Sequence, residues 1–132
     1  MITASDPAAL FDALDPVTPG FLLGTWAGGL FDETGRMAAR LVEMGWYGKR
    51  FHDTENVDPL LCRSADGGVY AYDGMGAARV REIAYRGKVS AAMVYDTQPI
   101  IDHFRRYSGD VVLGAMDAKG QPGTLYFHLT RV

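Results

Sequence analysis

Cysteine is all but missing: Cys62 stands alone in 132 residues. That excludes an internal disulfide framework and any cysteine-based zinc site. Charge of one sign is also missing, since 13 Lys and Arg oppose 16 Asp and Glu for a net −3. No strong field is available to hold nucleic acid or an anionic membrane, so neither is expected as a partner. No apolar run approaches the ~20 residues of a membrane span, and the charge-free stretch from Phe21 to Phe31 is broken by Gly24, Gly28 and Gly29. The opening MITASDPAAL has neither the basic nor the apolar region of a signal peptide, so the expectation is a soluble, cytoplasmic protein. Phosphate-binding loops, dinucleotide fingerprints, nucleophile elbows and His/Cys metal spacings are lacking as well, and no metal site is expected.

What is present is glycine, 16 of 132 residues, with seven Tyr, six Phe and two Trp. Average glycine usage is about 7%, and an excess accompanied by aromatics favours many turns and a β-rich fold. The length suits a single domain, 1–132, with one real core and a lead-in over 1–20.

Residues 6–14 are expected to form a short helix, with Asp6 as its cap and Pro7 in its first turn. Asp15-Pro16 and Pro19-Gly20 break the chain, and 21–27 reads as a first strand. Residues 34–44 carry Met37, Leu41 and Met44 at helical spacing, and Gly45 suits a left-handed stop. From Trp46 onward the pattern is β, with short segments punctuated by Asp66-Gly67-Gly68, Arg86-Gly87-Lys88, Ser108-Gly109-Asp110 and Lys119-Gly120. Segment 99–107 is ambiguous: Ile100, Ile101 and Phe104 have helical spacing, while the β-branched residues and the turn after them favour a strand. Turn spacing of about ten residues points to a sandwich or an up-and-down barrel.

Gly24-Thr25-Trp26-Ala27-Gly28 spells G-x-W-x-G on the first strand. Glycine lets the backbone bend and approach closely, and Trp plugs one end of a rounded sheet. It is followed by WYGKRF at 46–51, VDPLL at 57–61, YDxxPIIDxFR at 95–105 and GxMD at 114–117. In this order the set resembles the GXWXG family of small bacterial proteins, which pair that segment with a companion domain of unassigned function. The resemblance covers residues 20–132. It implies a mainly β fold: an antiparallel, calycin-like barrel of about 8–10 strands, related in shape to lipocalins, fatty-acid-binding proteins and nitrobindin, with a short N-terminal helix and one helix after the first strand. It implies no particular activity. Lipocalins pack a late Arg across the first-strand Trp, so Arg131 is expected over Trp26, a cation–π closure of about 0.5–2 kcal/mol.

A barrel of this size holds side chains and one small ligand. Strict alternation places Tyr47, Lys49 and Phe51 on one face and Trp46, Gly48, Arg50 and His52 on the other. Lys49 and Arg50 therefore cannot both point inward, and whichever does needs an anionic partner. That partner is either internal, Asp96 or Asp102, or a ligand carboxylate or phosphate. Asp102, set among Ile100, Ile101 and Phe104, is the candidate acid/base group; the competing reading pairs it with Arg105 or Arg50, or with a turn. His103 faces the opposite side in an extended segment. Tyr70, Tyr72, Tyr85 and Tyr95 offer hydroxyls on apolar rings, and Met37, Met44, Met75, Met93 and Met116 a pliable lining; all of these also suit ordinary core or rim. Cys62, beside Leu60 and Leu61, reads as a small buried hydrophobe.

The leading expectation is a binding module for a small hydrophobic or amphipathic ligand, lipid-like and open to an anionic head group. Its candidate binding residues are Trp26, Tyr47, Lys49, Arg50, Tyr70, Tyr95, Asp102 and Phe104. The alternative is an enzyme cyclising or isomerising a hydrophobic substrate in the same cavity. A third reading places haem on His128, by likeness to nitrobindin, although Leu30 stands where that pattern has glycine. A fourth is a filled barrel that forms a homodimer.

Overall fold

The computed structural model describes residues 3–132; Met1 and Ile2, at the start of the lead-in, lie outside the described residues. Helix α1 (Pro7–Ala13) begins as its sequence dictates: the Asp6 carboxylate accepts from the Ala9 amide at 3.1 Å, and proline occupies the first turn. Phe11 is its one fully buried residue and packs on the outer wall of the sheet with Leu113 and Ala115.

The expected strand at 21–27 begins later. Pro19–Leu22 is a 3₁₀ turn capped by Thr18, and β1 runs Gly24–Leu30. Side chains take the carbonyls that a strand would have used. Trp26 Nε1 donates to the Leu22 oxygen, and Arg131 donates to those of Phe21 and Leu23.

Helix α2 (Arg36–Glu43) follows, then β2 (Trp46–Phe51), β3 (Val57–Arg63), β4 (Val69–Ala71), β5 (Ala78–Tyr85), β6 (Lys88–Tyr95), β7 (Ile100–Arg106), β8 (Val111–Ala118) and β9 (Leu125–Arg131). The ambiguous segment at 99–107 is thus a strand. All pairings are antiparallel, in the order β2-β1-β9-β8-β7-β6-β5-β3, and a further β2–β3 pairing closes the ring into an eight-stranded barrel. The short, exposed β4 hangs outside the ring on β3. Among the described residues no helix is long and apolar enough to cross a membrane.

The barrel is filled at one end and hollow at the other. Trp26, fully buried, lies under the 3₁₀ turn with the Arg131 guanidinium 4.2 Å from its ring centre, the expected closure. Above it Phe104 meets Phe51 and Phe127 edge to face, each at 6.0 Å. These rings form a solid floor. At the opposite end α2 lies across the mouth, with Met37, Leu41 and Met44 half-buried against the core and Ala38 alone fully buried.

Strand β2 departs from simple alternation. Trp46 pairs with Cys62 and Gly48 with Leu61, so β2 carries one extra residue there; Gly48 pairs with Leu61 and Arg50 with Asp58, so β3 carries the next. Two bulges on opposite strands turn Trp46, Lys49 and Phe51 all toward the core. The assignment of Trp46 to the face opposite Lys49 is corrected accordingly. Glycine is required at Gly48, because a Cβ there would fall on the Trp26 carbonyl oxygen.

Candidate functional site

The hollow end is a cavity of about 50 Å³. Its walls are Trp46, Lys49 and Leu60 from β2 and β3, Tyr95 from β6, Ile100 and Asp102 from β7, Met116 from β8, and Leu125 and Phe127 from β9. Met75, the α2 residues Met37, Arg40 and Leu41, and Met44 at the end of that helix roof it. The lining is apolar except for Lys49, Asp102 and Tyr95, which lie deep, and Arg40, which is exposed at the rim.

Lys49 and Asp102 form an ion pair across the barrel, Nζ to Oδ2 at 3.1 Å, with each side chain only 3% exposed. The ammonium also donates to the Pro59 carbonyl at 3.0 Å. Pro59 is a strand residue without an N–H, seated beside the β3 bulge, where proline is tolerated. The aromatic rings of Trp46 and Phe127 stand 5.7 and 5.3 Å from Nζ. The ammonium thus has two oxygen partners, one of them anionic, and two aromatic rings beside it. The carboxylate is less well met: Asp102 Oδ1 is buried without a hydrogen-bond partner.

Burial pushes the Asp102 carboxyl above its usual value, and Lys49 pulls it part of the way back. Tyr95 is also buried. Loss of solvent, and then the Asp102 charge, hold its phenol well above 10, so it remains a neutral O–H group. The arrangement amounts to an ion pair of no net charge with one buried, unpartnered acceptor, beside a neutral O–H group, at the wall of an apolar chamber.

Of the eight expected binding residues, Lys49, Tyr95 and Asp102 meet at this cavity. The partner of Lys49 is Asp102; Asp96 lies elsewhere, bonded to Arg79. Phe104 belongs to the floor below, and Trp26 to the plugged end. Tyr47 lies under the Arg63 guanidinium, 5.1 Å away, and Arg50 bonds the Thr25 hydroxyl. Tyr70 is exposed on β4. None of these last three lines the chamber. Met37, Met44, Met75 and Met116 do supply the pliable lining, whereas Met93 is fully buried in the core.

Trp46, Leu60, Leu125 and Phe127 were not among the candidates. The apolar stripe of Leu125, Phe127 and Leu129 was a usable signal for the last two. The β2 and β3 bulges hid Trp46 and Leu60.

His103 and Asp102 point to opposite sides of the wall, so they form no dyad. His103 stacks on Tyr85 at 3.6 Å and reaches Asp117. His128 also faces outward, packed on Gly29 and edge to face with Phe31, with burial holding its imidazole below 6.5. It has no path to the chamber, and haem in the cavity could not use it. Arg105, wholly buried under α1, is met by the Tyr85 carbonyl and the Phe11 ring. The Cys62 thiol is buried and its pKa pushed up, as for a structural cysteine. Among the described residues no three His, Cys, Asp or Glu side chains cluster as metal ligands would.

Comparison with known proteins agrees with this architecture. The GXWXG protein family matches residues 9–67, and a domain of unknown function, DUF4334, matches residues 76–131. No curated protein matches. A crystal structure of a protein from Thermomonospora curvata is 62% identical, with the match covering 94% of this chain and 84% of that one, at a TM-score of 0.92. From its G-x-W-x-G strand through its closed calycin-like barrel, the chain belongs to the GXWXG family.

Proposed function

We propose that the barrel binds a small hydrophobic or amphipathic molecule in the chamber beneath α2, polar end downward. One observation carries this reading: the buried Lys49–Asp102 pair at the wall of an otherwise apolar cavity. Replacing such a pair with well-packed apolar side chains is commonly neutral or stabilising. A barrel built only for stability gains nothing from it, whereas a ligand gains a fixed polar anchor.

The cavity at about 50 Å³ holds roughly three or four water molecules. A larger guest enters by displacing the methionines and lifting α2, whose hold on the barrel is a single stripe of side chains. Native mass spectrometry of the purified protein, with solvent extraction of any bound molecule, tests the reading. A barrel that neither retains nor takes up any apolar molecule sinks it.

A second reading, isomerisation or cyclisation of such a molecule, rests on the unpartnered Asp102 oxygen, with burial raising its pKa, in the chamber that Tyr95 also lines. Under that reading Asp102→Asn abolishes turnover of a processed substrate, and unchanged turnover excludes Asp102 as the acid/base group.

A further inference from the structure

We infer that the deep end of the chamber selects an uncharged hydrogen-bond donor, an alcohol or phenol, over a carboxylate or phosphate head group. This rests on the cavity being a binding site and adds the chemistry of its ligand. The presence of a buried lysine suggests an anion receptor at first sight. The geometry removes that role: Nζ already faces Asp102 at 3.1 Å, the Pro59 carbonyl at 3.0 Å and two aromatic rings. A ligand anion would meet an ammonium already neutralised and a carboxylate that repels it, with little solvent to screen either.

What the site leaves unmet is an acceptor. Asp102 Oδ1 is buried and unpartnered, and an orphaned charged acceptor is costly until a donor reaches it. Tyr95 lines the same chamber as a neutral O–H. A hydroxyl donates to Asp102 and accepts from Tyr95 at once. A ketone or ether accepts from Tyr95 but leaves Asp102 orphaned, and an alkane does neither. The other lining cation, Arg40, is exposed at the rim, where solvent weakens its hold on an anion.

The test is calorimetric titration of the full chain with 1-octanol, 2-octanone and octanoate near neutral pH. The expected order is octanol first, with octanoate at least about tenfold weaker, the worth of one hydrogen bond to a charged group. Asp102→Asn leaves Lys49 uncompensated and is expected to reverse the order in favour of octanoate. Tyr95→Phe, a milder change, is expected to weaken octanol severalfold and narrow its lead over 2-octanone. Octanoate binding as tightly as octanol to the wild-type protein overturns the inference and leaves the binding function standing. Absence of binding by all three probes overturns the binding function itself. If Asp102→Asn does not fold, the wild-type order and Tyr95→Phe still decide.

Discussion

The Lys49–Asp102 pair lends itself to a double-mutant cycle. Both side chains are 3% exposed, so solvent screening does not discount their interaction as it would at a surface. Lys49→Met removes the cation and leaves a buried carboxylate; Asp102→Leu leaves a buried ammonium. Breaking a buried pair from either side costs about 3–5 kcal/mol. At this chain length each kcal/mol is worth about 3–5 °C, so each single variant is expected to melt about 9–25 °C lower. The double variant removes both charges and loses chiefly the donor to the Pro59 carbonyl, at about 1–3 kcal/mol. It is therefore expected to be more stable than either single variant and to retain the barrel. Urea unfolding followed by circular dichroism, with calorimetric melting, measures all four corners. Single variants each costing less than about 1 kcal/mol, or effects that simply add, would show that the pair behaves as a solvated surface bridge and refute the reasoning.

Other perturbations follow from the same geometry. Gly48→Ala sets a Cβ onto the Trp26 carbonyl oxygen; strand separation there is expected to leave the protein unfolded or insoluble, and a soluble variant with wild-type melting would contradict the close approach. Arg131→Met loses donors to the Phe21 and Leu23 carbonyls and the contact with Trp26, an expected cost of about 2–3 kcal/mol in urea unfolding; a loss under about 0.5 kcal/mol would show the closure to be incidental. Burial holds His103 and His128 below the ordinary 6.5. The unfolded chain therefore binds more protons below that value, and the stability these groups contribute above pH 6.5 is lost as pH falls through their lowered values. Melting in a pH series should decline over that window, and should decline less in a His103→Gln, His128→Gln variant. Asp102, raised by burial, acts with the opposite sign, so the difference between the two proteins is the relevant readout. Parallel curves for the two proteins would remove the histidines from the account.

The local elements and the family were legible in the sequence. Asp6 and Pro7 start α1, the Gly-containing turns divide the strands, and Leu125, Phe127 and Leu129 alternate with Tyr126, His128 and Thr130 on β9. Each depends on near neighbours in the chain. Even Arg131 over Trp26 was expected, from the likeness to lipocalins, and the pairing of β1 with β9 sets the two residues side by side. Tertiary structure alone decided the site. Alternation cannot reveal that paired bulges turn Trp46 inward beside Lys49, because a bulge is defined by the partner strand. Nor can it choose Asp102 over Asp96, since a partner across the barrel depends on how eight strands close. The stripe of Met37, Leu41 and Met44 announced a helix; what it covers became visible only when the ring beneath it had a filled end and a hollow one.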